Sequence, residues 1–174
     1  KSTTATLIYE ILSKHPPGEV LDIPLARHLG GGVLLAGNIG KSVLDVIPKI
    51  KEDSLVILEI SSFQLEAWDE KQISPHIAIV TNIYPDHLNY YQTMDEYISW
   101  KKVIAKHQKD EDHLILRKND PVTTTSEFLA GITSNVSYFS ADDLPADFKP
   151  KLAGEHNREN MAAALAVVKT LRID

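Results

Sequence analysis

Several short stretches of this sequence carry the side chains needed to handle a phosphorylated ligand. Lys1-Ser2-Thr3 opens a helical pattern. A lysine and a hydroxyl there are the closing residues of a phosphate-binding loop, Gly-x-x-x-x-Gly-Lys-[Ser/Thr], whose backbone N–H groups cradle phosphates while the hydroxyl binds Mg2+. The sequence starts too late to include the glycines of that loop, and the same tripeptide also occurs as an ordinary solvated terminus. Leu55-Val56-Ile57-Leu58-Glu59 is an apolar run that ends in a carboxylate. Such an acid either holds Mg2+ beside a nucleotide or marks where the strand reaches water. Ile77 to Thr81 leads into Asn82-Ile83-Tyr84-Pro85-Asp86-His87, which puts an imidazole after a second run. Ala36-Gly37-Asn38-Ile39-Gly40 offers a turn that lets backbone approach a ligand, with an amide that both donates and accepts. Ser61-Ser62-Phe63-Gln64 adds polar groups after Glu59, or simply caps a helix. Asn157 and Asn160, three apart, share a helical face and are placed to read a base edge.

The elements that must position these residues are legible from periodicity. Leu7, Ile8, Ile11 and Leu12 mark one face of a first helix, ended by Pro16-Pro17-Gly18. Because that pattern begins on the first residue, the sequence is expected to be an excised piece. Val33 to Ala36, Leu55 to Ile60, Ile77 to Thr81, Leu114 to Leu116 and Val136 to Phe139 read as strands. Segments 41–52, 88–109 and 156–172 read as helices, the first blemished by Pro48, and 140–153 as loop. Thr93-Met94-Asp95-Glu96 has the form of a capping box. Runs 55–60 and 77–81 are apolar throughout, as strands covered on both faces should be. The alternation predicts an α/β fold, a three-layer P-loop-type domain with a mostly parallel central sheet flanked by helices, and puts region 114–139 at the sheet edge. Ligands of such sheets bind beyond the carboxyl ends of the strands, where Glu59, His87 and the start of the Lys1 helix are expected to converge.

Composition narrows the class. The chain has 174 residues, about one domain, with 43% hydrophobic and 24% charged residues and a net charge of −6. That balance argues against a bulk electrostatic grip on nucleic acid or anionic membrane. The absence of cysteine excludes disulfides, thiolate metal sites and a thiol nucleophile. No apolar run approaches the roughly 20 residues of a membrane helix. A cytoplasmic domain is the expectation.

Taken as a set, Lys1-Ser2-Thr3-Thr4, Gly37-Asn38-Ile39-Gly40, Leu58-Glu59-Ile60-Ser61-Ser62-Phe63-Gln64-Leu65-Glu66, Thr81-Asn82-Ile83-Tyr84-Pro85-Asp86-His87-Leu88 and Gly154-Glu155-His156-Asn157-Arg158-Glu159-Asn160 resemble the Mur ligases in order and rough spacing, from residue 1 to about 170. The Glu-x-Ser-Ser-Phe-Gln-Leu-Glu and Gly-Asn-Ile-Gly segments resemble the D-glutamate-adding type. The resemblance implies that residues 1–174 are the central ATP-binding domain of a three-domain ATP-dependent ligase. Such an enzyme turns the carboxylate of UDP-MurNAc-L-alanine into an acyl phosphate that D-glutamate attacks. By itself this stretch, without the glycine loop and both flanking domains, is expected not to ligate.

Site residues carry over position by position. Lys1, Ser2 and Thr3 would contact the ATP phosphates. Ser2 and Glu59 would hold one Mg2+ and His87 a second. Asn38, His87 and Gln64 would lie along the sugar-diphosphate substrate, and Asn157 and Asn160 near the adenine. The family's carbamylated lysine, in Tyr-x-x-Ala-Lys, matches Tyr97-Ile98-Ser99-Trp100-Lys101; Trp100 in place of the small residue leaves Lys102 as the alternative. The stretch from His15 to Gly32 has no counterpart in the family pattern, and Asn89 stands where the family carries Asp. Two rival readings are another amide ligase of the superfamily, such as a folylpolyglutamate type, and a nucleotide-binding module without catalysis.

Overall fold

The computed structural model describes residues 1–14 and 31–173. The expected helix stop at Pro16-Pro17-Gly18 and most of the unplaced His15–Gly32 stretch lie outside the described residues. The chain divides into two compact units, Lys1–Glu59 with Ala141–Asp174, and Ile60–Ser140.

In the first unit the described elements are α1 (Ser2–Ser13), β1 (Val33–Gly37), α2 (Val43–Val46), β2 (Leu55–Glu59) and α6 (Glu155–Thr170), with short 3-10 turns at Ile47–Lys49 and Ala141–Asp143. β1 and β2 pair in parallel from Val33↔Leu55 to Gly37↔Glu59, so both strands end at the same edge. Helix α1 packs on both strands and on α6. It buries Thr4, Ala5, Ile8 and Leu12, and α6 buries Ala162, Ala163, Ala164, Val167 and Val168. The expected helix over 41–52 is cut short. Pro48, with no N–H to donate, falls in the first turn of the 3-10 segment, and Ile50 returns to extended backbone.

The second unit runs α3 (Ser62–Lys71), β3 (Ile77–Val80), α4 (Met94–Lys106), β4 (His113–Arg117), α5 (Ser126–Leu129) and β5 (Asn135–Phe139). Its strands form a parallel ladder in the order β3-β4-β5. The parallel α/β expectation holds, with the described strands in two ladders. The region 114–139, expected at the sheet edge, supplies the last two strands of this ladder: β5 is its end strand, and β4, with Leu114, Ile115 and Leu116 fully buried, lies between β3 and β5. The last strand, β5, is exposed over most of its length. The expected helix at 88–109 starts late. Residues 88–92 are turns closed by the His87 carbonyl, which accepts from the Tyr90 and Tyr91 N–H groups. Thr93 then caps α4, its hydroxyl accepting from Glu96 N at 3.1 Å, while the Glu96 carboxylate accepts from Gln92 N at 2.7 Å. Helix α3 was not expected as an element; a complete Ser61–Gln64 capping box starts it. Among the described residues no helix is long and apolar enough to cross a membrane.

Candidate functional site

The first unit holds the residues expected to face a nucleotide. Lys1 is the N-cap of α1, whose first turn carries no acidic residue and no side-chain cap. The first N–H groups of a helix have no intrahelical partner, so this end is electropositive. Ser2 is exposed and Thr3 half-buried at that end. Glu59, the last residue of β2, is 5% exposed, and its Oε2 has no hydrogen-bond partner. Its backbone oxygen accepts from Asn38 N at 2.8 Å. Gly37, at φ +103°, makes that approach possible, because a Cβ there would lie 2.2 Å from the Glu59 oxygen. Gly37 N donates to the Lys41 oxygen at 2.9 Å and closes the turn, leaving the Asn38 side chain exposed beside the end of β2.

At the start of α6, Asn157 Nδ2 donates to the Ala153 oxygen at 2.8 Å and Asn160 Nδ2 to Asn157 Oδ1 at 3.4 Å. The Thr4 hydroxyl donates to Asn160 Oδ1 at 3.0 Å, which ties α1 to α6.

The second unit holds Gln64, His87 and Lys101. Gln64 is exposed, but its Oε1 accepts from Ser61 N at 2.9 Å within the α3 cap, leaving chiefly its NH2 for a ligand. His87 adopts φ +56°, a costly conformation for a non-glycine residue. Asp86 grips it twice, accepting from its backbone N at 2.8 Å and lying 3.3 Å from its Nε2. Its ring meets Phe63 edge-on at 5.1 Å and Tyr97 at 6.2 Å. Tyr97 lies 5.2 Å from Tyr91, which stacks on Phe63 at 5.7 Å, so four rings form a closed circuit that includes the imidazole. Burial raises the pKa of the Tyr91 and Tyr97 hydroxyls above the ordinary value.

The two candidate lysines separate clearly. Lys101 Nζ stands 4.8 Å over the Tyr97 ring. Lys102 Nζ donates to the Ala130 oxygen at 2.6 Å and the Glu127 oxygen at 3.3 Å, holding the end of α5, and desolvation lowers its pKa. Lys102 is therefore occupied as a structural clamp, whereas Lys101 stands over a ring of the aromatic circuit.

Among the described residues no three His, Asp or Glu side chains gather to hold a metal by themselves. The donor set of the first unit still fits Mg2+ carried by a nucleotide: a buried carboxylate oxygen without a partner, hydroxyls at an uncapped helix start, and hard oxygen chemistry throughout. Sequence reading missed Thr4 and the circuit closed by Tyr91. Thr4 was visible only as one more hydroxyl after Thr3, and no local pattern announces a ring circuit.

A model of the Mur ligase middle domain matches residues 1–150. A protein named UDP-N-acetylmuramoylalanine–D-glutamate ligase from Symbiobacterium thermophilum is 36% identical over 191 aligned positions, covering 95% of this chain and 38% of that protein. Its namesake from Clostridium botulinum is 34% identical over 192 positions, covering 100% and 38%. That of Acetivibrio thermocellus is 35% identical over 191 positions, covering 97% and 37%. The chain thus spans under two-fifths of the length of these curated relatives. Among solved structures, MurF from Acinetobacter baumannii superposes with a TM-score of 0.66 at 18% identity, over 99% of this chain and 41% of that one. MurF ligase from Thermotoga maritima in complex with ADP gives 0.62 at 17% identity, over 99% and 44%. At such identity the structural likeness speaks for the fold.

Proposed function

The chain belongs to the Mur ligase middle-domain family, and from that premise we propose that residues 1–174 are the central ATP-binding domain of a ligase that adds D-glutamate to UDP-MurNAc-L-alanine. The substrate carboxylate attacks the γ-phosphorus of ATP and releases ADP. The amine of D-glutamate then attacks the acyl phosphate, and phosphate leaves as the amide forms. A cytoplasmic setting belongs to this reading, since ATP and nucleotide sugars are the substrates.

Phosphoryl transfer asks the protein for positioning and charge more than for covalent work. Lys1, Ser2 and Thr3, at the electropositive start of α1, would take the phosphates. Ser2 and Glu59 would hold one Mg2+, with His87 and a carbamylated Lys101 toward a second. Bound Mg2+ supplies neutralisation of phosphate charge. Asn38, Gln64 and His87 would orient the sugar-diphosphate substrate, and Asn157 and Asn160 the adenine. The observation that carries the reading is the partnerless, buried oxygen of Glu59 at the end of β2. An unpaired buried acceptor is costly, and a site that completes itself only with a cation explains why it is kept. The D-glutamate assignment is supported by the names of the relatives.

The test is amide formation by the full-length protein with ATP, Mg2+, UDP-MurNAc-L-alanine and a panel of amino acids. D-Glutamate is expected to be the preferred amine. Preference for another amino acid would move the protein to another ligase type, and nucleotide binding without turnover would make the domain a binding module.

A further inference from the structure

We infer that Thr4 is a positioning residue for the adenine-reading amides, joining the phosphate end of the nucleotide site to its base end. The inference rests on the ligase reading above and deepens it. Its basis is a hydrogen-bond relay whose sense has one solution. The Ala153 carbonyl can only accept, so the Asn157 group facing it, 2.8 Å away, must be Nδ2. Asn157 therefore turns Oδ1 toward Asn160, which must offer Nδ2 at 3.4 Å. Asn160 Oδ1 is then directed at Thr4, whose hydroxyl donates at 3.0 Å.

The contact from Thr4 is the shorter of the two ties on Asn160, and Thr4 is only 2% exposed, so its hydroxyl has no water to turn to. Thr4 lies in the first turn of α1, beside the residues that would hold phosphate, and Asn160 lies in the second turn of α6. One hydroxyl thus orients the second amide and fixes its helix against the phosphate-binding helix.

With the relay intact, each amide keeps one N–H and one oxygen lone pair of fixed direction. Adenine offers a 6-amino donor beside the N7 acceptor, the pattern an amide pairs with bidentately. Hypoxanthine replaces that donor with an oxygen acceptor, which a fixed amide oxygen opposes. Thr4 should therefore govern the choice of ATP over inosine triphosphate.

The experiment measures kcat/KM for both nucleotides in the full-length ligase, as wild type, Thr4→Val, Thr4→Ala and Thr4→Ser, with thermal unfolding as the check on folding. The wild type is expected to prefer ATP. The preference should fall at least ~5-fold in Thr4→Val and Thr4→Ala, about the value of one hydrogen bond, and return in Thr4→Ser. Folded hydroxyl-less variants with the wild-type preference would overturn the inference. So would a wild type without preference, or failure of both hydroxyl-less variants to fold while Thr4→Ser folds normally, which would make the tie merely structural. Absence of wild-type turnover with either nucleotide would instead strike the ligase reading, and binding of ADP and inosine diphosphate to the same variants would then decide the inference.

Discussion

The two units hold their candidate residues by different physics. In the first, polar groups are set by hydrogen bonds and backbone shape: the Gly37 turn against Glu59, and the relay from Ala153 to Thr4. In the second, His87 is set by aromatic faces and edges, with Lys101 over one of the rings. Hydrogen bonds are directional and fix which atom faces a ligand. Ring contacts fix a plane while leaving the imidazole half exposed. On the proposed function, the first arrangement suits the reading of a base and the holding of phosphates. On the proposed function, the second suits the offer of a nitrogen or a carbamylated lysine to a cation.

The largest effects are expected from removing one charge-handling group from each unit. In the full-length enzyme, Glu59→Gln and His87→Ala should each lower Mg2+-dependent turnover by at least ~10²-fold, the usual cost of losing a preorganised charge stabiliser. Thermal unfolding of His87→Ala should change little, because its side chain is 44% exposed. Near-normal turnover in either variant would remove that residue from the site.

Next in size is the lysine pair. Lys101→Ala should lose activity and regain part of it with added acetate or formate, which replace the carboxylate of a carbamate. Lys102→Ala should show no such rescue and instead lower stability by about 1 kcal/mol, as a clamp on two carbonyls would. Rescue of Lys102→Ala would reverse the assignment. Gly37→Ala follows, since the added Cβ meets the Glu59 backbone and φ is positive. A loss of about 1–3 kcal/mol is expected in chemical denaturation, with turnover reduced because the displaced strand end carries Glu59.

The smallest effect lies away from the site, between α3 and α4. Hydrogen bonds from Lys106 and His107 hold the pKa of Asp69 below the ordinary 3.8. A carboxylate with a depressed folded pKa contributes stability that is complete above its unfolded pKa and lost as pH falls through the folded one. Unfolding followed below about pH 4 should thus steepen in the wild type and flatten in Asp69→Asn.

Much of this was legible in the sequence. The apolar runs at 55–60 and 77–81 announced parallel strands, and the residues at their ends drew attention to Glu59 and His87. Helix α3 was hidden because it buries only Ser62 and Leu65, too little for a periodic signal; its one clue was the Ser61–Gln64 spacing of a capping box. The region 114–139 does end its ladder through β5, but the full burial of β4 was hidden, because a run of three apolar residues is shorter than the strand it belongs to and His113 and Arg117 flank it. Thr4 and the ring circuit depend on contacts between residues far apart in the chain, such as Thr4 with Asn160, which no local pattern encodes. Pro48 was read as a blemish and proved to be a helix breaker, as its missing N–H requires.

The proposed reaction passes through an acyl phosphate formed on the substrate carboxylate. It is tested most directly by full-length turnover with UDP-MurNAc-L-alanine labelled with ¹⁸O in its carboxylate, using ATP and D-glutamate. Attack of the carboxylate on the γ-phosphorus predicts that one labelled oxygen per turnover appears in the released phosphate. Phosphate free of label, with amide still formed, would contradict the account.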